Sequence, residues 1–154
     1  MTTGTQQLPK MVLKAPPEGF RHDKTKNGWK LESDCGPVVG EPTLTFEEFL
    51  REGELSVPGE VILARAKEMP GAPAGQSHAE RMLDQQDRIP VELRGKTLIF
   101  ETVWVCPSGD RHVVVLSWRG RRWCLYFYWP GRDFGSSCRV VRLGPDTEGD
   151  GASK

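Results

Sequence analysis

Residues Trp118–Pro130 read WRGRRWCLYFYWP. These thirteen residues hold three tryptophans, two tyrosines, a phenylalanine, three arginines and a cysteine. A stretch so rich in aromatic and β-favouring side chains is either the middle of a hydrophobic core or a platform on which another molecule stacks. Whether its two sides are both covered decides the architecture.

From Lys96 the sequence period is strand-like, and four strands are expected: Thr97–Cys106, Arg111–Trp118, Arg121–Trp129 and Cys138–Leu143. Pro107-Ser108-Gly109-Asp110 supplies one turn and Arg119-Gly120 a tight second one, because glycine accepts positive φ. Such short links predict an antiparallel meander. With Arg119-Gly120 as the turn, Trp118 lies opposite Arg121; the earlier turn sets Pro107 opposite Asp110. Alternation then places Leu98, Phe100, Thr102, Trp104, Val113, Val115, Arg122, Cys124, Tyr126 and Tyr128 on one face. The opposite face holds Ile99, Glu101, Val103, His112, Val114, Leu116, Trp118, Trp123, Leu125 and Phe127. Both faces are largely apolar, unlike a sheet with one wet side.

Three helices are expected before the sheet. TLTFEEFLREGE has Thr45 at a capping position and Glu48 three residues later. GEVILARAKEM follows Pro58, a favourable first-turn residue, and ends at Pro70. Ser77 with Glu80 opens the third, which stops at Ile89-Pro90. The expected packing buries Phe46, Phe49, Val61, Ile62, Met69, Met82 and Leu83 on one face of the sheet. The fold class is therefore α+β: two to three N-terminal helices packed on a four-stranded antiparallel β-meander, with disordered N- and C-terminal segments. Residues 1–40, poor in aliphatics, form a weakly ordered segment. Within them Asn27-Gly28 signals a hairpin turn. Residues 41–143 form a single α+β domain and residues 144–154 a disordered tail.

The 154 residues carry 21 basic and 21 acidic side chains, a net charge of zero. A strong whole-molecule attraction to nucleic acid or anionic membrane is thereby disfavoured. The layout is uneven: residues 41–92 hold 5 bases against 11 acids, and residues 111–143 hold 7 arginines against Asp133 alone. Either the two parts compensate each other in the fold or the arginines form a binding face. The four cysteines, Cys35, Cys106, Cys124 and Cys138, have no paired metal-ligand spacing. Without an apolar leader or a membrane-length run, a cytoplasmic protein is expected.

No phosphate loop, nucleophile elbow or metalloprotease motif is present, and Cys124 and His112 fall on opposite faces in the expected register. No catalytic residue, metal site or cofactor is therefore expected. The reading is a small non-enzymatic accessory, adaptor or inhibitor that binds a protein partner through the aromatic–arginine sheet face. Trp104, Arg122, Tyr126 and Tyr128 are its anchors, since Trp, Tyr and Arg are enriched at interfaces. The alternative is nucleic-acid binding on the same sheet, aided by Arg111, Arg119, Arg121, Arg132, Arg139 and Arg142. Burial of that face in a homo-oligomer is a third possibility.

Overall fold

A computed structural model describes residues 9–13, 22–36, 38, 40–128 and 133–144. In chain order the strands and helices are β1 (Met11–Val12), β2 (Lys30–Ser33), β3 (Thr43–Glu47), β4 (Ser56–Pro58), α1 (Gly59–Ala66), β5 (Ala72–Pro73), α2 (Gln76–Asp84), β6 (Thr97–Val105), β7 (Arg111–Trp118), β8 (Trp123–Tyr128), β9 (Asp133–Gly135) and β10 (Cys138–Leu143). The main sheet runs β1-β3-β10-β6-β7-β8, with β2 added to β6 and β5 to β10. β4 and β9 make a separate two-stranded ribbon.

This overturns the expected helices on a four-stranded antiparallel meander. The architecture is mostly sheet, eight strands of mixed direction with two α-helices. β6 and β7 follow the sequence reading closely, and β7–β8 is a hairpin. β10, however, does not continue the meander beyond β8. It lies parallel to β6, pairing Cys138 with Thr97, and antiparallel to β3. Its position inside the sheet suits its composition, because Cys138 to Arg142 are all buried.

The first expected helix is β3. Thr43-Leu44-Thr45-Phe46 alternates with period two, and this pattern prevails over the local capping box. Leu44 and Phe46 point into one core while Thr45 Oγ1 donates to the Arg142 carbonyl at 3.4 Å on the neighbouring strand. The helix expected after Pro58 forms as α1, with Pro58 as its N-cap. The Ser77 helix forms as α2, but Gly75 is its N-cap, and the Gly75 N–H donates to His78 Nδ1 at 3.1 Å. At Asn27-Gly28 there is no hairpin. Lys24–Asn27 is a 3-10 turn capped by Asp23, and Gly28 closes it at φ 83°.

Two cores occupy opposite faces of the sheet. One joins Ala79 and Met82 of α2 to Leu98, Phe100, Trp104, Val114, Leu116 and Trp123. The other joins Ile62 and Ala66 of α1 to Ile99, Val113, Val115, Val140 and Phe134 of β9. The residues expected to pack together divide accordingly: Phe46, Met82 and Leu83 belong to the first core, Phe49, Val61, Ile62 and Met69 to the second. Both faces of the aromatic strands are apolar because each carries its own helix.

The upper half of β6 is held by an unusual neighbour. β10 pairs with residues 97–99 and β2 with 103–105, both along the same edge. Between them the start of α2 is inserted. Glu101 N–H donates to the Ala74 carbonyl at 2.8 Å, and Gln76 N–H donates to Thr102 Oγ1 at 2.7 Å. Thr102 Oγ1 in turn donates to Asp34 Oδ1 at 2.6 Å. This approach requires a glycine at 75: a Cβ there would lie 2.5 Å from Thr102 Oγ1 and 3.0 Å from Asp34 Oδ1.

Gly75→Ala is expected to destabilise the protein by about 1–3 kcal/mol, the cost of overpacking a closed site, as read from urea unfolding. A pH effect follows from His78. Burial pushes its imidazole down to about 4, with the Asp34 charge acting in the opposite sense. The unfolded chain takes up that proton near pH 6.5 and the folded chain resists until about 4. Stability is therefore full above pH 6.5 and falls as pH drops through this window, by up to about 3 kcal/mol. His78→Gln keeps an acceptor for the Gly75 N–H and is expected to flatten that part of the stability–pH curve.

Candidate functional site

Trp104 does not belong to an exposed surface. It is 1% exposed, and its indole N–H donates to Gln76 Oε1 at 2.6 Å. It also lies on the α2 face, whereas Tyr126 and Tyr128 pack beside the α1-side core. The register explains the separation. Val103 pairs with Val113, one residue from the expected partner, and a one-residue slip moves every β6 side chain to the other face. Between β7 and β8 the slip is two residues, Trp118 opposite Trp123, so those faces are as expected.

Arg122, Tyr126 and Tyr128 remain together on one side of β8. The two tyrosine rings stack at 5.8 Å, and Arg119 stands over Tyr126 at 5.4 Å. Arg119, Arg121 and Arg122 are exposed on the β7–β8 loop, and among the described residues no carboxylate pairs with them. The other arginines do not join them. Arg111 bonds Glu32 and Glu60, Arg139 bonds Glu48, and Arg142 is buried against Glu101. Arg132 lies outside the described residues. The basic stretch 111–143 is thus partly neutralised internally by acids from the preceding sequence.

β8 is the last strand of the main sheet. In its hairpin Arg119 N–H donates to the Arg122 carbonyl at 2.9 Å. Antiparallel pairs alternate between bonded and non-bonded, so the backbone groups of Trp123, Leu125 and Phe127 point away from β7. The side chain of Gln86 closes the first of these positions. Its Oε1 accepts from the Trp123 N–H at 2.8 Å and its Nε2 donates to the Trp123 carbonyl at 3.2 Å. At Leu125 and Phe127 no described backbone group pairs with the outer edge. Phe127 is flanked on the α2 side by Trp29, with ring centroids 5.8 Å apart, and Lys24 stands over both rings. The 3-10 segment thereby covers the end of the face that the helices leave open.

A concavity, here the fork, lies between β10 and β2 on their shared edge of β6. It encloses about 660 Å³ and is lined by Asp34, Cys35, Leu63, Lys67, Glu101 and Arg142 among others. Glu101, the acid in the middle of an apolar strand, is paired here: Arg142 Nη1 donates to its Oε2 at 2.7 Å. Arg142 Nη2 donates to the Met69 and Gly71 carbonyls, each at 3.1 Å. Burial, reinforced by the nearby charges of Glu101 and Asp34, pushes the Cys35 thiol up to about 12. That thiol is protonated at neutral pH and is a poor nucleophile. Among the described residues no group of three His, Cys, Asp or Glu side chains is placed to hold a metal ion.

No family model, curated protein or solved structure matches the chain. The two places just described are the candidate sites. Among the described residues no helix is long and apolar enough to cross a membrane.

The sequence offered signals for both places. The arginine-flanked aromatic stretch pointed to β8, and Glu101 stands out as an acid on an otherwise apolar strand. Gln86 carried none, because its role depends on a contact 37 residues away.

The Glu101–Arg142 pair is nearly enclosed, with side chains 9% and 4% exposed. Removing one partner strands the other charge, so Glu101→Leu or Arg142→Met alone is expected to cost about 3–5 kcal/mol in chemical denaturation. The double substitution is expected to recover most of that loss. A double mutant as unstable as the sum of the singles would show that the pair is not coupled.

Proposed function

We infer that this protein is a non-enzymatic interaction protein, an accessory, adaptor or inhibitor, that binds a protein partner on the surface of β8 and the 119–122 loop. The observation that carries this reading is the set of three exposed arginines, unpaired with any described carboxylate, beside a stacked tyrosine pair. Elsewhere the arginines of the basic stretch are largely consumed in internal pairs. Arg122, Tyr126 and Tyr128 are the surface's proposed anchors, joined by Arg119 and Arg121. Planar guanidinium and phenol groups give directed hydrogen bonds and large contact area at low entropic cost.

Support for binding over catalysis comes from the perturbed groups near the fork. Cys35 is tuned away from nucleophilic reactivity and His78 away from the midrange useful to a general base. A protein partner is favoured over nucleic acid because the cationic surface is local. Arg139 and Arg142 are buried in the fold and Arg111 is held by two glutamates, which leaves no long basic track for a phosphate backbone among the described residues.

Site-specific photo-crosslinking tests this reading. A photoreactive residue at position 122 is expected to yield a discrete, protease-sensitive and nuclease-resistant adduct in cells. The same probe at Leu55, exposed on a different loop, is expected not to, and Tyr126→Ala is expected to remove the adduct. A nuclease-sensitive adduct would transfer the surface to nucleic acid, and equal labelling at both positions would defeat the assignment.

A further inference from the structure

We propose that the partner docks by strand addition: an extended, acidic segment pairs with the outer edge of β8 at Leu125 and Phe127. This rests on the reading of β8 as the docking surface and specifies how that surface is used. Three observations support it. The N–H and C=O groups of Leu125 and Phe127 point outward and meet no described backbone partner. Main-chain groups in such a row are what an added strand recognises. The row is stopped at one end by the Gln86 amide on Trp123, which fixes where pairing begins.

The third observation is chemical and sets the composition of the segment. Successive side chains of an added strand face opposite sides of the sheet. On one side they would meet the apolar side chains of Leu125, Phe127 and Trp29, with the Lys24 ammonium over the last two rings. On the other they would meet Tyr126 beneath Arg119, with Arg122 at the loop. A segment alternating apolar and acidic residues satisfies both sides. Basic residues on an open edge also oppose pairing with a like-charged strand and favour one of opposite sign.

The test is amide hydrogen exchange resolved by residue. In the free protein the Leu125 and Phe127 amides are expected to exchange quickly, while Cys124, Tyr126 and Tyr128, bonded to β7, are slow. The probe is a synthetic peptide of alternating glutamate and valine, about eight residues long, the length of an ordinary strand. At low ionic strength it is expected to slow exchange at Leu125 and Phe127 by about tenfold or more. A peptide with lysine in place of glutamate is expected to leave both amides fast.

The outcomes separate the two readings. If the acidic peptide binds and Arg121→Ala/Arg122→Ala weakens it, yet Leu125 and Phe127 stay fast, strand addition is overturned while the docking surface stands. If it binds with no dependence on those arginines and protects amides elsewhere, both readings fall. No binding at millimolar peptide, or slow exchange at Leu125 and Phe127 in the free protein, overturns strand addition. The crosslinking result then stands alone for the surface.

Discussion

β6 shares one edge between two strands, and the hydrogen bonds in the gap between them hold the molecule together. β10 occupies residues 97–99 of that edge and β2 residues 103–105. A gap in a central strand leaves backbone polar groups without partners, which is costly in an interior. The chain fills it with the start of α2. The Ala74 carbonyl takes the Glu101 N–H, and Thr102 bridges the Gln76 N–H to Asp34. Gln76 then reaches Trp104 with its Oε1 and both Glu80 and the His22 carbonyl with its Nε2. One glutamine thus ties the N-terminal segment, α2 and the central strand together. The polar character of α2, whose first seven residues are all buried, follows from this position. Its residues replace a strand's hydrogen bonds rather than contribute a simple apolar stripe.

The fork also accounts for the charge layout. β6 and β7 change register by two residues between Ile99 and Val103, so β6 arches where α2 enters. The acid at position 101 falls on the α1 side, and β10 brings Arg142 against it. Arg111 joins β7 to Glu32 of β2 and Glu60 of α1. Acidic and basic halves of the sequence are therefore interleaved, and a molecule of zero net charge keeps few free cations on the sheet. Those on the 119–122 loop pair with no described carboxylate.

Single elements were legible; the sheet as a whole was not. Arg111–Trp118 and Cys138–Leu143 match the expected strands to the residue, and the helix after Pro58 begins where proline at its start implied. Periodicity sees local structure, and these elements are locally consistent. What failed was non-local. Thr43–Glu47 carries a helix-capping pattern, but pairing with β10 outweighs it. The placement of β10 beside β6 has no local signature, since hairpin-like links on either side suggest a meander. The face of Trp104 was lost to one residue of register, which a two-residue arch in β6 makes unreadable from turn positions. For the candidate surface, residue types in β8 were sufficient to mark Arg122, Tyr126 and Tyr128. Their separation from Trp104 was not legible.

The expectation of an exposed aromatic face came from counting covers: three helices on one side left none for the other. With one helix on each face and Trp29 over Phe127, the faces are accounted for. Among the described residues the unpaired row lies instead along the strand's edge. This changes the kind of recognition the aromatic residues can support. A face binds through side chains and tolerates many shapes, whereas an edge binds through the main chain and demands an extended partner. In the proposed strand addition the tyrosines and arginines would face alternate positions of the added segment and select its charge, while the backbone would fix its direction and register. Gln86 imposes the limit on this geometry. By occupying Trp123 it shortens the open edge to the span around Leu125 and Phe127, so the proposed pairing would be confined to the positions flanked by Arg119, Tyr126 and Trp29.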